Sequence, residues 1–189
     1  MPAPDELRFR AAEESDAKAI AALHTDSWQR HYRIAYTDHF LDDEAPGFLL
    51  DLWTGRFAGP DPGRCTILAT GDGGTLVGLA HTAFDDHPTW GALLDNLHVV
   101  YGRKRQGIGT RLLSLTAEAV LAERPGSGLY LWVLEKNVNA RAFYDASGGT
   151  CVESRKVLPP GGDPARLNGT PVGLRYYWPD PARLLTARP

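Results

Sequence analysis

Six consecutive apolar residues, Leu129-Tyr130-Leu131-Trp132-Val133-Leu134, set the tightest limit on how this chain can fold. A strand with one wet face alternates polar and apolar residues, whereas an unbroken apolar strand is covered on both faces. The segment therefore belongs inside a sheet with layers packed above and below it. Ahead of it, Ile108, Leu112, Leu115 and Ala119 form a helical stripe with Leu113, Thr116 and Val120 beside it, ended by Pro125 and Gly126. Behind it, Asn137 opens a second helical pattern with Ala140, Phe143, Tyr144 and Ser147 on one face, closed by Gly148 and Gly149.

The remaining segments read as further layers around that strand. Residues 7–12 suit a short strand, and Ser15 is placed to cap a helix carrying Asp16 in its first turn. A second helix is expected over 27–34 and a third over 45–57. The turn Gly59-Pro60-Asp61-Pro62-Gly63 changes the pattern. After it, 65–69 and 75–82 read as a hairpin joined at Gly71-Asp72-Gly73-Gly74. Asp85-Asp86-His87-Pro88 reads as a break, 92–100 as a third strand in a row, and 150–157 and 172–178 as the last two strands. Residues 158–169 form a Pro/Gly-rich loop, and the tail from 178 to 189 is expected to be loosely held. The order predicts a mixed sheet covered by helices, with no repeat and no linker, so residues 1–189 are expected to form a single domain.

Composition narrows the function classes. The formal net charge of −3 argues against a dedicated nucleic-acid binder. Cys65 and Cys151 lie apart from any Cys/His cluster, so no metal site is expected and both read as small buried hydrophobes. The start, MPAPDELRFR, lacks the apolar core of a secretory signal, and no run is long enough to span a bilayer; a cytoplasmic location is the expectation.

Against this acidic background, Arg103-Lys104-Arg105-Gln106-Gly107-Ile108-Gly109-Thr110 concentrates cations and glycines at one helix start. The first N–H groups of a helix have no internal partners, the helix dipole adds positive charge there, and glycine lets the backbone approach a phosphate closely. A P-loop requires GxxxxGK[ST], which is absent. A dinucleotide fingerprint requires a third glycine where Leu112 stands, in a first βαβ unit.

The stretch from Leu97 to Leu113, LHVVYGRKRQGIGTRLL, instead resembles the coenzyme A pyrophosphate motif of the GNAT superfamily of N-acetyltransferases, [Q/R]xxGx[G/A] between a strand and a helix. Gly107 and Gly109 match, and Lys104 stands where the family has Gln or Arg. The apolar strand followed by Asn137, Ala140, Phe143 and Tyr144 is similar to the family's downstream NxxAxxFY signature. Leu23-His24-Thr25-Asp26-Ser27-Trp28 and a following Tyr-Arg pair add a looser likeness near the N-terminus.

The resemblance implies an α/β fold of α+β type: a mixed, mostly antiparallel sheet of about seven strands flanked by helices, with strands 4 and 5 splayed apart. It implies acetyl-CoA as cosubstrate and no metal. Main-chain groups of Leu97, His98 and Val99 would pair with the pantetheine arm. Backbone amides of Arg105, Gln106, Gly107, Ile108, Gly109 and Thr110, with the Lys104 charge, would hold the pyrophosphate. Asn137, Ala140 and Phe143 would border the coenzyme, and Tyr144 would protonate the leaving thiolate. The base is left open between Asp95 and His98, with Glu135 third. Strand alternation puts Asp95 on the face of Leu97 and Val99, and His98 offers a pKa near neutrality.

The expected acceptor is the primary amine of a small molecule, in a pocket shaped by Trp28, Tyr32, Tyr36 and the loops at 85–87 and 158–169. Acetylation of a protein N-terminus or lysine is the alternative, and a non-catalytic coenzyme A-binding module is a third. No nucleic acid or membrane partner is expected; a homodimer using Arg175-Tyr176-Tyr177-Trp178 is one option.

Overall fold

A computed structural model describes residues 6–59 and 61–185. Seven strands form one sheet in the order β1-β2-β3-β4-β5-β7-β6. They are β1 (Arg8–Ala11), β2 (Arg64–Thr70), β3 (Leu76–His87), β4 (Gly91–Val99), β5 (Leu129–Leu134), β6 (Thr150–Lys156) and β7 (Val172–Trp178). Every neighbouring pair is antiparallel except β4 and β5. Helices α1 (Ala17–His31) and α2 (Ala45–Arg56) pack on one face, burying Ile20, Leu23, Leu49 and Trp53 against Leu68 and Leu79. On the other face lie α3 (Ile108–Glu123) and α4 (Val138–Ala146), where Leu112, Leu113, Ala117 and Tyr144 join Leu129, Leu131 and Val133. The apolar run that limits the fold is thus β5, the strand between these layers.

Several local expectations are corrected. Residues 27–34 do not form a separate helix, because α1 continues unbroken through Ser27 to His31. Ser15 does not cap it: Glu14–Asp16 is a 3₁₀ turn in which Asp16 accepts the Glu13 N–H at 2.8 Å and a two-pronged bond from Arg10 at 2.7 and 2.8 Å. Residues 85–87 are not a break. β3 runs to His87 because Asp85 is held by Arg124, with bonds of 2.7–2.9 Å, and the turn waits for Pro88. Cys151 is exposed and so is not a core residue, whereas Cys65 is partly buried and packs against the core.

The chain end is also held more firmly than composition suggests. Trp178 is buried in β7, and the following turn Pro181–Leu185 buries Pro181 and Leu184 in the layer of α3. Residues 186–189, like 1–5 of the N-terminal segment and Pro60 of the predicted turn, lie outside the described residues. The strand carrying Arg175 to Trp178 is not an outer one: it sits between β5 and β6 with Arg175, Tyr176 and Trp178 buried. Of that segment only Tyr177 is partly exposed, and β6 is the edge strand on this side of the sheet.

Candidate active site

The site begins where β4 and β5 separate. Their pairing is confined to Ala92 opposite Leu129 and Leu93 opposite Tyr130. Beyond that point β4 continues against β3 while β5 continues against β7, so a wedge opens through the middle of the sheet. A bulge in β4 sets which groups face the wedge. Leu94 stands opposite Thr82 and Asn96 opposite His81, so Asp95 is the extra residue. The bulge breaks the alternation that would place Asp95 with Leu97 and Val99. Instead its carboxylate accepts Arg56 Nη2 at 2.5 Å, while Arg56 Nη1 bonds Asn96 Oδ1 at 2.8 Å. Arg56, the last residue of α2, carries no motif that would have marked it in the sequence.

The Val100 N–H bonds the Val77 carbonyl of β3. Successive N–H groups on a strand point to opposite sides, so the Val99 and Leu97 N–H groups point into the wedge that β5 has left. Leu97, His98, Val99, Asn137, Ala140 and Tyr144 all line this cleft, together with Ser27, His31 and Tyr32 from the end of α1. Asn137 also caps α4, its Oδ1 accepting the Ala140 N–H at 3.2 Å.

On one side the cleft runs into a cavity of about 740 Å³ beside the start of α3. Leu97, Val99, Lys104, Ala140 and Tyr144 border both spaces, and Arg105, Ile108, Gly109, Thr110 and Phe143 complete the expected wall. Gly107 at φ 76° precedes α3, and no side chain caps that helix among the described residues. Arg105 also has a positive φ, 63°, an uncommon conformation for a residue other than glycine. Gln106 and Gly107 shape the turn but line neither space. Lys104 Nζ lies 2.9 Å from His31 Nε2 and 5.2 Å from the Tyr101 ring centroid. Partial burial, then the neighbouring Arg30, lowers the Lys104 pKa; burial and then Lys104 lower that of His31.

On the other side the cleft meets a cavity of about 480 Å³. Leu94, Asp95 and Trp132 border both, and Tyr36, Asp86, Tyr130, Arg155 and Arg175 line the outer space. The 158–169 loop closes over its flank: Tyr36 forms an isolated bridge with Leu167, and the Asn168 N–H bonds the Ala35 carbonyl at 2.8 Å. Of the predicted acceptor-pocket residues, Tyr32 reaches the cleft and Tyr36 the outer cavity. Trp28 reaches none of these spaces; it packs behind both tyrosines, 5.8 and 5.1 Å from their ring centroids. Of the 85–87 segment, Asp86 and His87 line the cavity while Asp85 is turned to Arg124. Glu135 lies with Ile34 and Lys136 in a separate depression and is not brought to the cleft.

The titratable groups differ sharply in readiness. His98 is buried, its Nδ1 2.9 Å from Ser27 Oγ, and burial, then His31 and Lys104, lower its pKa to about 4. The near-neutral range expected of a base is thereby removed. Burial raises the Tyr144 phenol well above its ordinary range, which keeps its proton in place at neutral pH. Tyr32 is raised to about 12 by burial and then by the Asp95 charge. Asp95, at the junction of cleft and outer cavity, is the one candidate base that borders both spaces.

The sheet is thus wedged open beside an uncapped helix start, and sequence comparison gives this frame a family. Residues 17–148 match the Acetyltransferase (GNAT) family, and the chain belongs to that family; it is an acyltransferase. It is similar to a probable N-acetyltransferase of Mycobacterium tuberculosis, 29% identical over 143 residues covering 75% of this chain and 79% of that protein. It is also similar to the uncharacterized N-acetyltransferase YuaI of Bacillus subtilis, 27% identical over 182 residues covering 95% and 97% of the two chains. Among solved structures, the PaiA N-acetyltransferase of Thermoplasma acidophilum in complex with coenzyme A shares the fold, with a TM-score of 0.65 at 17% identity over 92% of this chain and 99% of that one. No helix among the described residues is long and apolar enough to cross a membrane.

Proposed function

We propose that this protein transfers the acetyl group of acetyl-CoA to the primary amine of a small molecule by direct attack, without a covalent enzyme intermediate. The observation that carries the reading is the wedge between β4 and β5, which joins a cavity at an uncapped helix start to a second cavity beyond the sheet. The coenzyme's pyrophosphate lies against the free N–H groups of Ile108, Gly109 and Thr110, with the Lys104 charge beside them. Its pantetheine arm takes the place of the missing β5 partner along Leu97 and Val99, with Asn137, Ala140 and Phe143 on the opposite wall.

The acetyl carbonyl then sits near the wedge, where the Val99 N–H stabilises the developing oxyanion. The amine nitrogen forms a bond to the carbonyl carbon and loses a proton towards Asp95, directly or through water. The carbon–sulfur bond breaks, and Tyr144 gives its proton to the departing sulfur. The outer cavity, about 480 Å³, falls within the ~300–1,000 Å³ range usual for small-ligand sites, which supports a small acceptor over a protein chain.

Calorimetric titration with acetyl-CoA, beside ATP and NAD, tests the donor half. Selective binding of acetyl-CoA is the expected result, and equal or stronger binding of a nucleotide cofactor overturns the reading. An amine screen that follows thiol release then tests the transfer.

A further inference from the structure

The outer cavity carries two guanidinium groups that acetyl transfer itself does not call for. Arg175 of β7 is 5% exposed, and its guanidinium carbon lies 4.9, 4.9 and 4.7 Å from the ring centroids of Trp90, Tyr130 and Trp132. Its Nε and Nη1 are buried without a hydrogen-bond partner within the fold. Glu153 of β6 comes within 3.2 Å of Nη1 as an ion pair, without hydrogen-bond alignment. Arg155, on the edge strand β6, lies 3.9 Å from the centroid of Trp132 and has no carboxylate partner among the described residues. Arg175 Nε and Nη1 are closed off within the fold, so the fork that can receive a planar anion is that of the exposed Arg155, whose geometry matches a carboxylate, with the buried Arg175 charge behind it.

The cavity's acidic groups are arranged differently. Asp86 accepts the Tyr130 hydroxyl, and Asp95 is bound by Arg56. Asp95 is shared with the wedge, whereas both arginines line the outer cavity alone. The space is therefore asymmetric: the Asp95 carboxylate at the wedge, where the reacting amine has to arrive, and farther out two guanidinium groups against one carboxylate, Asp86, that already accepts the Tyr130 hydroxyl. A simple diamine would place its second ammonium against those guanidinium groups, and like charges there are unfavourable.

Resting on the acetyl-transfer reading above, we propose that the acceptor is an amino acid in the chemical sense, with its amine at Asp95 in the wedge and its carboxylate against Arg155 and Arg175. Arg155 and Arg175 are then specificity-determining residues of the acceptor site.

The test compares each of several amino acids with its carboxamide and its decarboxylated amine, using acetyl-CoA and following thiol release. At least a tenfold preference in kcat/KM for the carboxylate form of the acceptor that is used is expected. Arg175 is part of the packing, so the diagnostic variant is the exposed Arg155→Met, which is expected to shrink the acid-to-amide ratio about tenfold. Arg155→Lys is expected to restore part of that ratio. Equal or better use of amides, decarboxylated amines, polyamines, phosphate-bearing amines or peptide N-termini overturns the proposal, as does an unchanged ratio in Arg155→Met. If nothing is acetylated, calorimetry of the amino acids against the acetyl-CoA-saturated protein decides, and absence of binding overturns it. Failure of acetyl-CoA itself to bind overturns the acetyl-transfer reading instead, so the two failures are told apart.

Discussion

The two sides of the wedge are built from different materials. On the proposed donor side the surfaces come from backbone: the N–H groups of β4 left without a β5 partner and the uncapped start of α3, supplied by two short stretches of sequence. On the proposed acceptor side they come from side chains, Asp86, Tyr130, Arg155 and Arg175, that originate on four different strands. A backbone site is largely indifferent to side-chain identity, so Lys104 can stand where the motif it resembles has Gln or Arg. A side-chain site changes its ligand whenever one of those residues changes. One half can thus stay fixed while the other is respecified, and the variants below pull the halves apart.

The largest effect is expected at Tyr144, one of the residues that border both the wedge and the cavity beside α3. Tyr144→Phe removes one hydroxyl from a buried ring packed 5.8 Å from Tyr176 and 6.1 Å from Trp178 by centroid, so the ring packing survives. A positioned general acid contributes about 10²–10⁴-fold, and a loss of kcat in that range is expected with acetyl-CoA affinity unchanged. Steady-state kinetics beside calorimetry reads both quantities. Full activity in Tyr144→Phe would remove it from the mechanism.

The next effect concerns the floor beneath the wedge. His98 lines the cleft, the buried His24 ring lies 4.6 Å from that of His98 by centroid, and the buried His81 ring lies 5.2 Å from that of Trp53. Burial lowers His98 to about 4 and His81 to about 3, and takes His24 well below its ordinary value. The unfolded chain titrates near 6.5, so at intermediate pH it holds protons that the folded protein does not. Stability is then complete above about pH 6.5 and is lost as pH falls towards 4, by about 1.4 kcal/mol per pH unit for each such histidine. His98→Gln is expected to reduce that slope by about one histidine's share between pH 6 and 4.5, read by urea unfolding. An unchanged slope would mean that His98 takes up its proton in the fold and belongs with the reactive groups after all.

How much of each half could be read from sequence follows from the same contrast. The proposed donor side is written in residues close together along the chain, so the gathering of Lys104, Gly109, Asn137 and Tyr144 around the wedge and the start of α3 is legible in the sequence. The bulge at Asp95 was not, because alternation in one strand carries no information about its partner's register. Nor were Arg56, Arg155 and Arg175: each is an ordinary arginine until strand order places it, and the order β5-β7-β6 is set by tertiary pairing. The one available signal was Arg175 amid Tyr176, Tyr177 and Trp178, a charge in an otherwise apolar strand.

The smallest effects separate the two glycines of the donor turn, which look equivalent in sequence. Gly107 has φ 76°, where a side chain is strained whatever the space around it; Gly107→Ala should therefore cost stability, by about 1 kcal/mol. Gly109 lies inside α3, and a Cβ there would meet Phe143 at 3.6 Å and Val99 at 3.9 Å, both ordinary contacts. The fold itself thus has no need of glycine at 109, and helix propensity favours alanine there by up to about 1 kcal/mol. If Gly109 keeps the backbone bare for a pyrophosphate, Gly109→Ala will be as stable as wild type or more so in thermal unfolding while binding acetyl-CoA about tenfold more weakly, a difference of ~1.4 kcal/mol. Weaker binding without lost stability can arise only from the ligand's approach, since the protein accommodates the methyl group. Wild-type affinity in Gly109→Ala would show that the phosphates do not approach this part of the helix, and the donor half would have to be rebuilt around the Lys104 and Arg105 side chains.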